Sequence, residues 1–395
     1  MSITRRQAIG RGIAGMTLVA AGGLVWRGWD NGAFSAGQGE PYRLWTSWRA
    51  EALEGPLAVA QAGILAASAH NTQPWRFKLG EDSVALSADP ARGLGNMDPF
   101  RREMAQSLGC AIENMALTAA AQGAYTMVRP PPGTRTSALG APVQAAFMLL
   151  EPLSTRPDPL LAAIDQRHTN RGPYNPDRTL TAALKTGLEA LPRHPETRLL
   201  LVEAAPARAA LGRLIVSATE TIIADPGMAA ASARWFRFRR ADIERHGDGI
   251  TLDAAGLSPP VAAASKILPA PSPEAADRQW LDAMRRVHVA TTPLFGVIAV
   301  RDPYDLANAI EAGRLWQRIH LWATVNGLAA QPLNQPLEAA DRARQTGREP
   351  AGARELERLL EITGWQPTFI FRLGHGMRPA LPSPRRAVDD VVDDG

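Results

Sequence analysis

Apolar and polar positions follow two rhythms along this chain, and the changes of rhythm mark its elements. "AEALEGPLAVAQAGILAASA" (50–69) spaces apolar residues as an α-helix does. "RFKLG" and "SVALSAD" follow as two short strands joined at "EDS". "RREMAQSLGCAIENMALTAAAQG" (101–123) predicts a long helix stopped by Gly123. "AYTMV" (124–128) and "VQAAFMLLEP" (143–152) predict further strands, separated by the loop "PPPGTRTSALGAP". The second half repeats this grammar, with strands at 198–203, 294–300 and 368–376 and a glycine-stopped helix at 306–327. Between them, 204–290 reads as mostly helical. It includes "LSPPVAAASKILPAPSPE", a proline-rich loop long enough to serve as a lid.

The two long helices align with each other. Gly109 and Gly123 in the first lie 204 positions before Gly313 and Gly327 in the second, and at that offset Leu117 matches Leu321 and Ala119 matches Ala323. A repeat of this kind predicts two similar halves, their matching helices packed about an approximate two-fold axis as in a homodimer. The expected fold is α+β: a central, largely antiparallel sheet flanked by helices, with the two halves forming an intrachain pseudo-dimer.

Composition narrows the class. The chain has 395 residues, 45% hydrophobic and 21% charged, which suits a globular protein of one or two domains. The 43 basic residues barely exceed the 39 acidic ones and do not cluster, so nucleic acid is not an expected partner. Cys110 is the single cysteine, set in an apolar helical pattern. It reads as a small buried hydrophobe, and no cysteine cluster exists to hold a metal. At the N-terminus, Arg5 and Arg6 in "MSITRRQAIGRG" precede an apolar run at 13–26, and the small residues of "AFSAG" come after it. This is targeting grammar resembling a twin-arginine export signal. The expectation is a periplasmic or otherwise exported protein that uses the export machinery, with membrane anchoring by the N-terminus as the alternative.

Three polar constellations carry candidate chemistry. "HNTQPW" places Asn71, Thr72 and Gln73 before Pro74, which favours extended backbone at Gln73 and predicts a stretched 71–73 segment presenting its own polar groups. The two amides offer donors and acceptors to a planar ligand with ring carbonyls and nitrogens, or else form a polar cap and turn. "DQRHTNRGPY" crowds Arg167, His168, Thr169, Asn170 and Arg171 together, as in an anion clamp or a solvated loop. "LPSPRRAVDDVVDDG" fixes Arg385 and Arg386 behind prolines, and its four aspartates read mostly as a solubilising tail. "RWFRFRR" (234–240) sets Trp235, Phe236 and Phe238 among arginines, on a face for an apolar ligand or membrane, or simply packed inward. No Gly-x-Gly-x-x-Gly marks a Rossmann site and no nucleophilic triad is evident, so no side chain is assigned a catalytic role. His288, His320 and His375 read as structural.

Taken in order, "ASAHNTQPWRF", "DPFRREMAQSLGCAIENMALTAAAQG", "RHTNRGPY" and "LPSPRRAVDDV" resemble the FMN-dependent nitroreductase superfamily. The similarity is greatest to its single-chain Acg-type oxidoreductase branch, often carrying twin-arginine signals. The resemblance covers most of 50–391. It implies one composite FMN site per chain, with Asn71, Thr72 and Gln73 from the first half facing Arg167, Thr169, Asn170 and Arg171 from the second, and Arg385 and Arg386 at the phosphate. It implies an oxidoreductase that passes electrons from NAD(P)H or another donor, a protein included, through FMN to a small electron-poor acceptor. The alternative is a flavin-sequestering or redox-partner protein whose lid covers the flavin. The expected organisation is a signal or anchor at 1–40, a first half at 41–152, and a second half at 153–395 with a helical or lid insertion at about 204–290.

Overall fold

The computed structural model describes residues 26–50, 54–152 and 157–393. Helix α1 (Gly55–Ile64) leads through the 68–73 loop into the hairpin β1 (Trp75–Leu79) and β2 (Ser83–Ala88). Helix α2 (Arg102–Gln122), β3 (Gly123–Val128) and β4 (Gln144–Pro152) complete the first half. The second half contains β5 (Thr197–Val202), α3 (Ala205–Ala224), the two-residue strands β6 (Phe236–Arg237) and β7 (Ile250–Thr251), β8 (Leu294–Val300) and α4 (Leu306–Val325). It continues with β9 (Ala329–Pro332), α5 (Gln335–Gln345) and β10 (Gln366–Gly374). The last strand is β11 (Val392–Asp393).

The α+β fold and its antiparallel character are as expected, with the strands divided over one main sheet per half. The first sheet has the order β11-β1-β2-β4-β3 and the second β5-β8-β10-β9. Pairing is antiparallel in both except for β11, which returns from the far end of the chain to lie parallel to β1. All seven residues of β8 are buried, which explains its unbroken apolar run "LFGVIAV".

Helices α2 and α4 pack along their length at the centre of the molecule. Their small residues set the distance. A Cβ on Gly109 would sit 2.1 Å from the Ile310 carbonyl oxygen, and one on Gly313 would sit 2.0 Å from that of Gln106. The two contacts are mirror images at the 204-residue offset, the signature of an isologous interface inside one chain. The polar contacts obey the same symmetry: Glu113 accepts from Arg318 at 2.5 Å, and its counterpart is the 2.8 Å bond from Gln317 to Asn114. Helix α2 starts at a left-handed Arg101, and Asp98 supplies the missing cap by accepting from the Met104 amide at 2.9 Å.

Three expectations need correction. Among the described residues no helix is long and apolar enough to cross a membrane, so the expectation of a membrane anchor is withdrawn. The Arg5–Arg6 segment and nearly all of the apolar run lie outside the described residues. The 71–73 backbone is not stretched: His70, Asn71 and Gln73 have φ of 48°, 56° and 51°. A tight turn wins over the bias imposed by Pro74, because Ser68 accepts from the Asn71 amide through its carbonyl and from the Gln73 amide through its hydroxyl, each at 3.0 Å. The tail is not merely solubilising. Val391 is fully buried, β11 joins the sheet, and Asp393 pairs with Arg76.

Candidate functional site

The three constellations, far apart in sequence, meet at one place beside the C-terminal part of α4. The 68–73 turn supplies Asn71 and Gln73, both buried and both fully engaged. Asn71 Nδ2 donates to the carbonyls of Gly249 (3.1 Å) and Pro384 (3.0 Å), and its Oδ1 accepts from Arg385 Nη1 at 2.8 Å. Gln73 Nε2 donates to Gly247 O at 2.8 Å, and its Oε1 accepts from the Arg386 amide at 2.9 Å. Thr72 is buried, and its carbonyl accepts from Arg92. Asp248, also buried, is gripped by Arg92 and by Arg237 at 2.7 Å. The 71–73 amides therefore fasten the 247–249 segment and the C-terminal tail to the first half.

Arg167 and Arg385 converge on the end of α1. Both donate to the Leu65 carbonyl, at 3.1 and 3.4 Å, and Arg385 also donates to Ala66 O at 3.0 Å. Arg167 Nη1 lies 3.3 Å from His320 Nδ1, and His320 Nε2 lies 3.4 Å from the His168 carbonyl. The Trp45 ring is close to both arginines, with the guanidinium carbons of Arg385 and Arg167 at 4.4 and 5.6 Å from its centre. Arg171 donates to Ala254 O at 3.0 Å, and its own carbonyl receives His288 Nε2 at 3.1 Å. Asn170 bonds the Gly172 amide and Arg378 O, which sets the loop that carries the partly buried Thr169. Arg386 is drawn outward, bonding Asp390 O at 2.8 Å with Asp89 3.8 Å away.

The electrostatics are lopsided. Among the described residues no carboxylate pairs with Arg167, Arg171, Arg372 or Arg385. Burial pushes Arg167 and Arg171 down to about 10. Burial, then the neighbouring Arg167, holds Arg385 well below its ordinary value. Burial and the same arginines hold the histidines neutral: His168 and His288 down to about 3, His320 well below the usual range, and His70 at about 4 beside Arg171. Among the described residues, the buried Nε atoms of Arg167 and Arg385 and the Nδ1 of His168 have no hydrogen-bond partner. A buried cationic donor without an acceptor is costly, and an anion is the group that satisfies it. The residues fit a phosphate-bearing ligand: the two arginine donors are charged, their guanidiniums meet at the Leu65 carbonyl, and among the described residues no acid competes for them.

Sequence reasoning missed several participants. Trp45 carries no motif. Arg372 is fully buried in β10 and donates to Gly172 O (2.7 Å) and Gln331 Oε1 (2.7 Å), shaping the 170–172 loop. The one available signal was an arginine inside the otherwise apolar "TFIFRLG". His320, read as structural, stands against Arg167, whereas His375 lies outside this cluster and donor set. Trp235 packs inward at 3% exposure, while Phe236 and Phe238 remain 38% and 41% exposed. Cys110 is buried, its thiol pushed up to about 12 by burial, as a hydrophobe rather than a nucleophile. The described clefts lie elsewhere, one lined by Arg102, Tyr304 and Asp341 and the other by Arg129, Glu311 and Arg314.

No family model matches the chain. It is 27% identical over 348 residues to a Mycobacterium tuberculosis (strain CDC 1551 / Oshkosh) protein named as a candidate NAD(P)H nitroreductase, a match covering 85% of this chain and 90% of that one. A protein of strain H37Rv with the same description matches over the same span and identity. Among solved structures, the FMN-dependent nitroreductase NfnB from Mycobacterium smegmatis, in complex with NADPH, is 15% identical with a TM-score of 0.37, covering 58% of this chain and 94% of that one. A nitroreductase with bound FMN from Desulfitobacterium hafniense is 14% identical with a TM-score of 0.35, covering 60% and 98%.

Proposed function

We propose that this chain is an FMN-dependent oxidoreductase of the nitroreductase type, holding one flavin between its halves. The observation that carries the reading is the pair Arg167 and Arg385: buried, from distant segments, joined at one carbonyl, and each, among the described residues, with an unpartnered Nε and no carboxylate. The mycobacterial proteins that match across most of both chains, named for NAD(P)H nitroreduction, support it.

In this reading Arg167 and Arg385 hold the phosphate, and Arg171 and Arg386 add positive potential at its margins. Each charge-assisted bond to phosphate contributes roughly 1.5–3 kcal/mol. Thr72, Thr169 and Asn170 would help hold the cofactor beside them. Asn71 and Gln73 would offer their amides to the polar atoms of the cofactor if the 247–249 segment released them. Bound FMN supplies hydride acceptance from NAD(P)H or another donor, a protein included, and electron delivery to a small electron-poor acceptor. The neutral histidines keep the cluster's net charge on the arginines and lend no proton near pH 7. The halves at 41–152 and 153–395 each contribute to the site, and the insertion at about 204–290 covers it.

A second reading is favoured by one specific feature. The Gly247 and Gly249 carbonyls already take the Gln73 and Asn71 amides, and Asp248 is clamped by two arginines. A segment held this firmly would sequester a flavin rather than admit substrates.

The test is purification under mild conditions, a visible spectrum, and addition of NAD(P)H without oxygen. A yellow protein that bleaches supports the oxidoreductase. A yellow protein that bleaches only with dithionite supports sequestration. A colourless protein that does not take up FMN rejects both.

A further inference from the structure

Two unpaired guanidiniums side by side in an interior require something to hold them there. The nearest groups to Arg167 and Arg385 are carbonyls, the Asn71 side-chain oxygen, a neutral histidine, and the face of Trp45. Trp45 is 6% exposed and is itself fixed: its Nε1 donates to Ser383 O at 2.8 Å, and the Arg385 amide donates to Pro41 O at 2.7 Å. These two bonds splice the 41–45 segment to the 383–385 tail. The His168 ring meets the indole edge-on, with ring centres 4.6 Å apart and planes at 79°.

We propose that Trp45 is a positioning residue whose indole face replaces a carboxylate beside Arg167 and Arg385. The negative face of the ring quadrupole attracts both cations without neutralising either. A carboxylate at the same place would pair with them and compete with an incoming anion. The indole holds the two forks in register, and their charge remains available for a phosphate group, whether free or carried by a flavin. The proposal rests on the anion-site reading above and assigns to this chain the residue that keeps the site open to anions.

The experiment uses the full chain with Trp45→Phe, Trp45→Leu and Trp45→Met. All three lose the bond to Ser383 O, and only phenylalanine retains a π face. Each protein is melted, then titrated calorimetrically with inorganic phosphate and separately with FMN. The expected result is phosphate binding by W45F within about threefold of the parent, and binding by W45L and W45M weaker by about tenfold. W45M fills the ring volume with a flexible chain, so it stands in if W45L does not fold. Equal phosphate affinity of W45F and W45M overturns the proposal. A parent that binds phosphate but takes up no flavin removes the flavoprotein reading and leaves the role of Trp45 standing. A yellow parent whose W45F and W45M variants bind phosphate equally does the reverse. A parent that binds neither removes both.

Discussion

Asn71 concentrates much of the local physics in one side chain. It sits at φ 56°, a left-handed conformation that asparagine tolerates better than most residues. Its amide joins its own turn to two other segments, the 247–249 cover and the tail, the latter through the Pro384 carbonyl and the Arg385 guanidinium. Replacing it with leucine of similar size leaves two buried carbonyls and one buried cation each short of a partner. Buried groups left unsatisfied cost roughly 1–3 kcal/mol apiece. We therefore expect Asn71→Leu to lose about 3 kcal/mol in urea unfolding and to retain flavin more weakly. A variant with unchanged midpoint and unchanged flavin content would reduce "HNTQPW" to an ordinary turn. His70 and Gln73 share the left-handed region, and three such residues in four positions mark a turn held by its surroundings rather than by local preference.

At the scale of elements, the α2–α4 contact and the start of α2 each make a distinct prediction. Gly109→Ala would place a methyl 2.1 Å from the Ile310 carbonyl oxygen, deep between two backbones with no flexible side chain to yield. The helices must separate, and overpacking of this kind costs about 3 kcal/mol or more. Gly313→Ala should cost a similar amount by the mirror contact. Chemical denaturation of both variants checks this, and near-parent stability in either would show that the helices are not so tightly joined. About two turns toward its N-terminus, α2 meets α5 in a buried acidic cluster. Asp98, Glu103, Glu338 and Asp341 surround Arg102, with Arg344 and Tyr304 at its margin and Asn334 bonding Glu103. Burial, with help from Asp98 and Asp341, pushes Glu103 up to about 7 and holds Asp98 and Glu338 above their ordinary values. The sign follows by linkage. Between about pH 4.5 and 7 the unfolded chain has lost the Glu103 proton and the folded chain keeps it, so stability falls as pH rises through that window. Glu103→Gln removes this dependence. Its stability relative to the parent should rise by about 2 kcal/mol between pH 5 and pH 8. A difference that does not change with pH would show that Glu103 is ionised throughout.

Seen as a whole molecule, the pseudo-two-fold is a symmetry of shape and not of charge. On the candidate-site side, Ser107, Gln317 and His320 line the central helices, and the arginines beside them lack acids. At the 204-residue offset their counterparts are Glu311, Glu113 and Ala116. Glu113, Glu311 and Asp158 are consumed by Arg314, Arg318 and Arg129 in a continuous ion-pair network. The second location is neutralised internally and offers an anion nothing. We expect one flavin or phosphate bound per chain, checked by comparing flavin absorbance or calorimetric stoichiometry with protein concentration. Two per chain would show that both locations bind.

The sequence alone determined the elements and their duplication. Long apolar helices stopped by glycine, buried strands and a constant offset are local or periodic properties, and periodicity survives whatever the chain does elsewhere. It also singled out Asn71, Gln73, Arg167, Arg171, Arg385 and Arg386 as polar groups that needed a purpose. Only the tertiary structure decided how they are used. The left-handed 68–73 turn depends on Ser68 and on the distant 247–249 and 384–386 segments, so the proline before Trp75 misled the local reading. Trp45 and Arg372 belong to no motif, because their roles arise from guanidinium contacts with a ring and with carbonyls contributed by segments far apart in the chain. The path of the tail was likewise invisible, since four aspartates read as solvated until Val391 is seen buried and β11 paired with β1. A charge's partner is set by long-range packing, and packing is the property a one-dimensional pattern does not contain.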